Sequence, residues 1–338
     1  MADQHSPASL SSAVEECRRV YRQIGDELGK AMVGQDAAVE HVLIGLVVGG
    51  HVIVEGSPSF GKSLVLRCLA EALELRFRRI QFTPDLTPAE ITGEETVREH
   101  SETGRRQYLF QPGPLFANLI VAADVDQASP KLQTVLFDAM EDRHVTVGGQ
   151  THPLPVPFFV LVSQSSLEPE KGTPLSPSQL DRFLLSVTLG YLSDKEEWSM
   201  ARHMTSSQVE PVLPVVRRDD LLRLRQTAAQ VSISDAVLRY AWALVRATRP
   251  TCPEAPEFVD RLVARGSGPR GLVALVDCAK ARAALKGRCE VTTTDVEQLA
   301  LPVLRHRVFG NFAAESQSLT SSRLVEMIME SVQHYAPP

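Results

Sequence analysis

At 338 residues, 43% hydrophobic and 22% charged, the chain is long enough for two domains of ordinary globular size. Its net charge of −6 argues against DNA or RNA as the main partner, because a general nucleic-acid binder carries a basic excess. The five cysteines form no CxxC pair and have no histidines at zinc spacing, which points to reduced structural thiols and a cytoplasmic setting, away from a zinc site or disulfide framework.

The N-terminus, "MADQHSPASLSSAVEE", lacks a basic start followed by an apolar core, so no secretory signal is expected. Residues 1 to about 12 are rich in Ser, Ala and Pro and are expected to be disordered. Apolar residues then recur at helical spacing from Val14 to about Val33, and "GQDAAVEHVLIGLVVGG" reads as a second helix. The run "VLIGLVVGGHVIVEG" is interrupted by glycines and His51 and falls short of the roughly 18 apolar residues a membrane helix needs. It reads as a helix end running into a core strand, "HVIVEG".

Directly after that strand, "GSPSFGKS" satisfies G-x-x-x-x-G-K-[ST] and opens the helix "KSLVLRCLAEALEL". Small residues let the backbone wrap phosphates, the amides point inward, and the helix N-terminus adds positive potential. The stretch from Gly56 through Ser57, Pro58, Ser59, Phe60, Gly61, Lys62 and Ser63 to Leu64 is therefore the candidate nucleotide-binding loop. Lys62 would neutralise the outer phosphates, and the Ser63 hydroxyl would face Mg2+.

Further along, "RFRRIQFT" is approximately strand-like, and "ITGEETVREHSETGRRQYLFQPG" could form a hairpin inserted between the second and third core strands. The strand "LIVAAD" leads to the amphipathic helix "PKLQTVLFDAMED"; "HVTVGGQTHPL" is a second hairpin candidate, and "PFFVLVSQSS" another buried strand. "SPSQLDRFLLSVTL" carries a short helix and a final strand. Beyond about Ser193 the pattern is helical, with Asp235, Ser267 and either Thr294 or Asp295 as cap candidates. Strands alternating with helices predict an α/β, three-layer αβα sandwich followed by a smaller all-helical domain. Residues 1–30 read as an N-terminal tail and helix, 31–192 as the nucleotide-binding core, 193–310 as a helical lid and 311–338 as a C-terminal extension.

With the loop in hand, the chain from about Val33 to Gly310 resembles the MoxR family of AAA+ ATPases. The resemblance rests on "FTPDLTPAEITG", "QPGPLFANL", "PFFVLVSQSS", "LSPSQLDRF", "GSGPRG" and "LPVLRHRV". It implies a P-loop AAA+ core with a helical lid, ATP with Mg2+ held between subunits of a ring, commonly a hexamer, and a chaperone or assembly role. It also implies a partner with a von Willebrand factor A domain, and client or pore contacts for the two hairpins. Arg182 in "QLDRF" is similar to the arginine finger that reaches a neighbour's γ-phosphate, and a surface arginine paired with Asp181 is the alternative. Arg270 in "GSGPRG" resembles the second-sensor arginine, which would reach back to the phosphates from the start of a lid helix.

Two motifs depart from the family. Where its Walker B region runs approximately "FANLLLADEINRAPPK", this chain has "FANLIVAADVDQASPK". Ungapped, Ala123 stands at the magnesium aspartate and Asp124 at the catalytic glutamate; in the rival register Asp124 is the magnesium aspartate and Val125 holds the glutamate position. Either way one carboxylate is missing, and Asp126 and Gln127 replace an asparagine and an arginine. At sensor 1, "SQSS" puts Ser165 where an asparagine would orient the attacking water. These changes fall on hydrolysis, while the groups that grip the nucleotide are intact. An ATP-binding subunit with slowed turnover is therefore expected, with a fully active remodelling ATPase and a nucleotide-dependent scaffold as the other readings, and a small-molecule kinase disfavoured.

Overall fold

The structure, a computed structural model, describes residues 7–55, 62–99, 106–164, 173–205 and 210–332. Helix α1 (Pro7–Leu28) begins inside the stretch expected to be disordered. A proline is accommodated in a first helical turn, where its missing N–H costs nothing, and the stripe Val14, Cys17, Val20, Ile24 and Leu28 is buried. Helix α2 (Asp36–Val48) ends on Gly49 at φ +84°, and a Cβ there would fall 1.6 Å from the Arg225 guanidinium. Strand β1 (Val52–Glu55) and helix α3 (Lys62–Ala72) flank the phosphate loop. Gly56 to Gly61 lie outside the described residues, as does the side chain of Lys62.

Strand β2 (Phe77–Gln81) and the short helix α4 (Pro88–Thr92) precede the inserted hairpin, β3 (Gly93–Glu99) and β4 (Arg106–Pro112), whose tip is outside the described residues. Then come β5 (Leu119–Ala123), α5 (Pro130–Asp142), the second hairpin β6 (His144–Val147) and β7 (Gln150–Pro153), and β8 (Phe159–Ser163). Helix α6 (Pro177–Leu180) and β9 (Leu185–Thr188) complete a parallel sheet of order β2-β5-β8-β1-β9. Both faces are covered, as in an all-parallel sheet. Val52, Val54, Leu119, Val121, Phe159 and Leu161 join one apolar cluster, and the alternating Ile53, Ile120, Ala122, Val160 and Val162 join the other.

The remaining chain is helical: α7 (Asp194–Thr205), α8 (Arg218–Gln230), α9 (Asp235–Ala247), α10 (Glu257–Leu262), α11 (Pro269–Leu285), α12 (Thr293–Leu304), α13 (Phe312–Ser316) and α14 (Ser321–Val332). Two short strands, β10 (Val263–Arg265) and β11 (Phe309–Gly310), pair within it. The caps differ from expectation. Ser234 caps α9 in place of Asp235, its side chain accepting from the Val237 amide. Gly268 occupies the cap of α11, because Pro269 takes the first helical position; Ser267 stands one residue earlier, its amide donating to the Thr248 hydroxyl. Thr292 caps α12, and Asp295 is the third helical residue of its capping box. Helices α8, α9, α11 and α12 share one continuous apolar cluster with α1, α2, α3 and a face of the sheet.

Candidate functional site

Parallel strands gather their C-terminal ends along one edge of the sheet, and that edge holds the phosphate-loop flanks and the acids. β8 lies between β1 and β5, so the strands that lead to the loop and to Asp124 are about 10 Å apart. Ser63 and Leu64, in the first turn of α3, are half-buried. Ala123 ends β5 with 5% of its surface exposed, and its methyl group offers nothing to a cation. Asp124 leaves the strand at φ +58°, a left-handed conformation that aspartate tolerates better than most residues. It is half-buried; its amide donates to the Ser163 hydroxyl at 3.3 Å, and its Oδ2 accepts from the Gln81 amide at 2.6 Å.

Gln81 and Ser163 were not among the sequence-derived candidates. Both are last residues of strands flanking β5, and Gln81 is the registered partner of Ala123, so strand pairing delivers them to the acid. After Asp124 the chain makes a 3-10 turn, Val125–Gln127. Val125 is fully buried, so under the rival register the glutamate position is closed by an apolar side chain. Asp126 is also buried, and its carboxylate takes the Gln127 amide at 3.3 Å. Ser165 lies outside the described residues. A hydroxyl and one carboxylate at the same edge, Ser63 and Asp124, fit a hard divalent cation such as Mg2+, which takes one or two protein ligands and fills its shell with phosphate and water.

Arg182 and Arg270 sit elsewhere. They line a cleft of about 460 Å³ with Gly50 and His51, which precede β1, and Phe183 and Leu184, which precede β9. That cleft is at the N-terminal ends of the strands, and β1 alone spans four residues, about 13 Å. Arg270 therefore lies at the opposite edge of the sheet from the flanks of its own subunit's phosphate loop, Glu55 and Ser63, and not beside them as the expected reach-back implied. Arg182 is 3.2 Å from Glu141 and 3.9 Å from Asp138, and its guanidinium lies over the Phe137 ring. Asp181, the alternative partner, is taken by Arg307 at 2.9 Å. Burial presses the Arg307 guanidinium downwards from its ordinary pKa, and Asp181 opposes this by favouring its charge.

Comparison with known proteins places the chain in a family. Over 98% of its length the chain is 34% identical to Chaperone MoxR1 of Mycobacterium tuberculosis, with 86% of that protein covered. The chain belongs to the MoxR family of AAA+ ATPases. Residues 51–185 match the ATPase family associated with various cellular activities, and residues 258–328 match the AAA lid domain. This MoxR chain is also 33% identical to the Bacillus subtilis protein YeaC, covering 91% of this chain and 92% of that one. A solved structure from Cytophaga hutchinsonii superposes with a TM-score of 0.86 at 32% identity, covering 95% and 96% of the two chains. A parallel P-loop α/β core with a helical lid is thus the fold, and nucleotide binding is what the AAA+ family implies. Among the described residues no helix is long and apolar enough to cross a membrane.

Proposed function

We propose that this MoxR-family protein is an ATP-binding, chaperone-like assembly or remodelling factor that works in the cytoplasm as an oligomeric ring, with hydrolysis weakened. The observation that carries this reading is the division of its chemistry between two edges of one sheet. The loop flanks and Asp124 lie at the strands' C-terminal ends, and Arg182 and Arg270 at their N-terminal ends. A site with both sets needs two subunits, so each chain would offer its acid edge to its own nucleotide and its two arginines to a neighbour's. A closed ring, a hexamer by the family's habit, repeats that contact. The relative named Chaperone MoxR1 supports the chaperone role; a partner with a von Willebrand factor A domain is the client-side factor we expect.

Ser63 and Asp124 would hold Mg2+, which offsets charge on the phosphates. Asp124 would also have to stand in for the base, with the Gln81 amide on its carboxylate. A general base contributes roughly 10²–10⁴-fold to rate, and a misplacement of about 1 Å can cost on the order of 10²-fold. Lost carboxylate chemistry therefore slows cleavage without loosening the grip on nucleotide. The test pairs equilibrium binding of Mg·ATP with steady-state turnover. Tight binding with turnover at least about tenfold below an ordinary MoxR protein is expected, and Ala123→Asp with Asp124→Glu should raise turnover by at least about tenfold. Ordinary turnover in the natural chain that collapses in Asp124→Ala would instead establish the fully active reading; binding without any turnover would favour the scaffold.

A further inference from the structure

Arg182 and Arg270 belong to different layers, one following α6 in the core and the other opening α11 in the lid. One side chain spans them. Glu141, near the end of α5, presents Oε2 to Arg182 Nη2 at 3.2 Å and Oε1 to Arg270 Nη2 at 3.5 Å. All three line the cleft and all are at least partly exposed. A carboxylate with one oxygen on each guanidinium occupies the position an anionic group must take to be bracketed by both.

We infer that Glu141 is an internal competitor for a neighbour's triphosphate: it engages both arginines in the free subunit and gives them up when a neighbour's nucleotide enters the cleft. The inference rests on the reading of both arginines as acting across the subunit boundary. Ion pairs between partly exposed groups are weak, so the carboxylate sets a threshold for assembly without blocking it. A terminal phosphate carries more charge and more acceptor oxygens than a carboxylate, and it wins the arginines once it is delivered. Until then Glu141, with Asp138 beside Arg182, offsets the repulsion between the two guanidiniums in the cleft. It touches no reacting atom and acts through the arginines, as a positioning residue. Its occupancy also ties regulation to assembly, because a subunit without a neighbour keeps both of its arginines engaged by one carboxylate.

The test follows ATP-dependent association of the full chain by sedimentation velocity, with Mg·ATP and with a slowly hydrolysed analogue, across protein concentration. Glu141→Gln is expected to move the association midpoint to lower concentration by roughly threefold to tenfold, and raising the salt should shrink the gain. In an Arg182→Ala, Arg270→Ala background the same change should do nothing. An unchanged or weakened association in Glu141→Gln overturns the inference, and so does a gain that persists without the arginines. Arg182→Ala by itself tests the reading underneath: if it leaves association and turnover at the natural level, the assignment across the boundary fails whatever Glu141→Gln does. Should Glu141→Gln not fold, Glu141→Asp draws the carboxylate back by one methylene and is expected to act in the same direction with a smaller shift.

Discussion

Side chains that look alike in the sequence have very different electrostatic surroundings. His51, one of the residues that interrupts the apolar run before the phosphate loop, is buried beneath the cleft, where its Nε2–H donates to the Met140 carbonyl and its Nδ1 accepts from the Val160 amide, each at 3.0 Å. Burial, reinforced by Arg143, pushes its pKa down to about 3. Burial likewise takes His41 down to about 4 and holds His306 well below its ordinary value. Because these folded-state values are depressed, the unfolded chain binds protons that the folded chain refuses. The stability they confer is complete above about pH 6.5 and is lost as the pH falls towards 4 and below, at up to about 1.4 kcal/mol per pH unit for each histidine. Urea unfolding should show a marked loss between pH 7.5 and 5, less in His51→Gln than in the natural chain; a flat profile would contradict the burial argument. The sequence marked His51 as a break in an apolar run but could not say that two backbone groups would meet its ring.

Helix α12 shows the same limit at the level of an element. Spacing predicted a helix and offered Thr294 or Asp295 as its cap, yet the cap is Thr292 and Asp295 turns inwards. Its carboxylate accepts from the Thr292 amide at 2.9 Å, from Arg282 at 2.6 Å and from Arg288 at 2.6 and 2.7 Å. Burial works to raise its pKa, but Arg288, the Thr292 amide and Arg282 outweigh it and hold the group below the usual carboxylate range. Arg282 and Lys286 also reach Glu40 on α2, so one buried acid joins the helix start to α11 and through it to the core. Asp295→Ala leaves Arg288 without its carboxylate partner and Arg282 with Glu40 alone, and a loss of about 3 kcal/mol in chemical denaturation is expected. A loss below about 1 kcal/mol would mean the network is only a surface decoration. Sequence periodicity locates such a helix because burial repeats with its turn; it cannot choose among adjacent polar residues, because the cap depends on where the preceding chain enters.

Across the whole molecule, what matters is which edge of the sheet each residue reaches. If the acids serve a subunit's own nucleotide and Arg182 serves its neighbour's, two defects should complement. Lys62→Ala removes the loop cation and Arg182→Ala the arginine, and each variant alone should lose at least about 10²-fold of whatever turnover the natural chain has, since fingers of this kind contribute roughly 10³–10⁵ in other nucleotide hydrolases. Mixed, they should regain a measurable fraction, because some interfaces then pair an intact loop with an intact arginine. Absence of any recovery, with mixed assemblies demonstrated, would place Arg182 outside the site. The α/β core and the two hairpins were legible because alternation and apolar runs report burial directly. Helix α8 falls within the helical pattern beyond Ser193, with Leu221, Leu224 and Ala228 buried at helical spacing among charges.

Read alone, the residues carry the loop motif G-x-x-x-x-G-K-S, the strand–helix alternation, and a single carboxylate, Asp124, directly after the strand Leu119–Ala123. Those are properties of neighbours along the chain. It took the folded chain to show that Gln81 and Ser163 attend Asp124, that Glu141 joins Arg182 to Arg270, and that both arginines stand at the opposite strand ends from the flanks of the loop. Each of those contacts joins segments far apart in sequence, and their geometry is fixed by the order and direction of strands in the sheet, which no local pattern of residue types encodes.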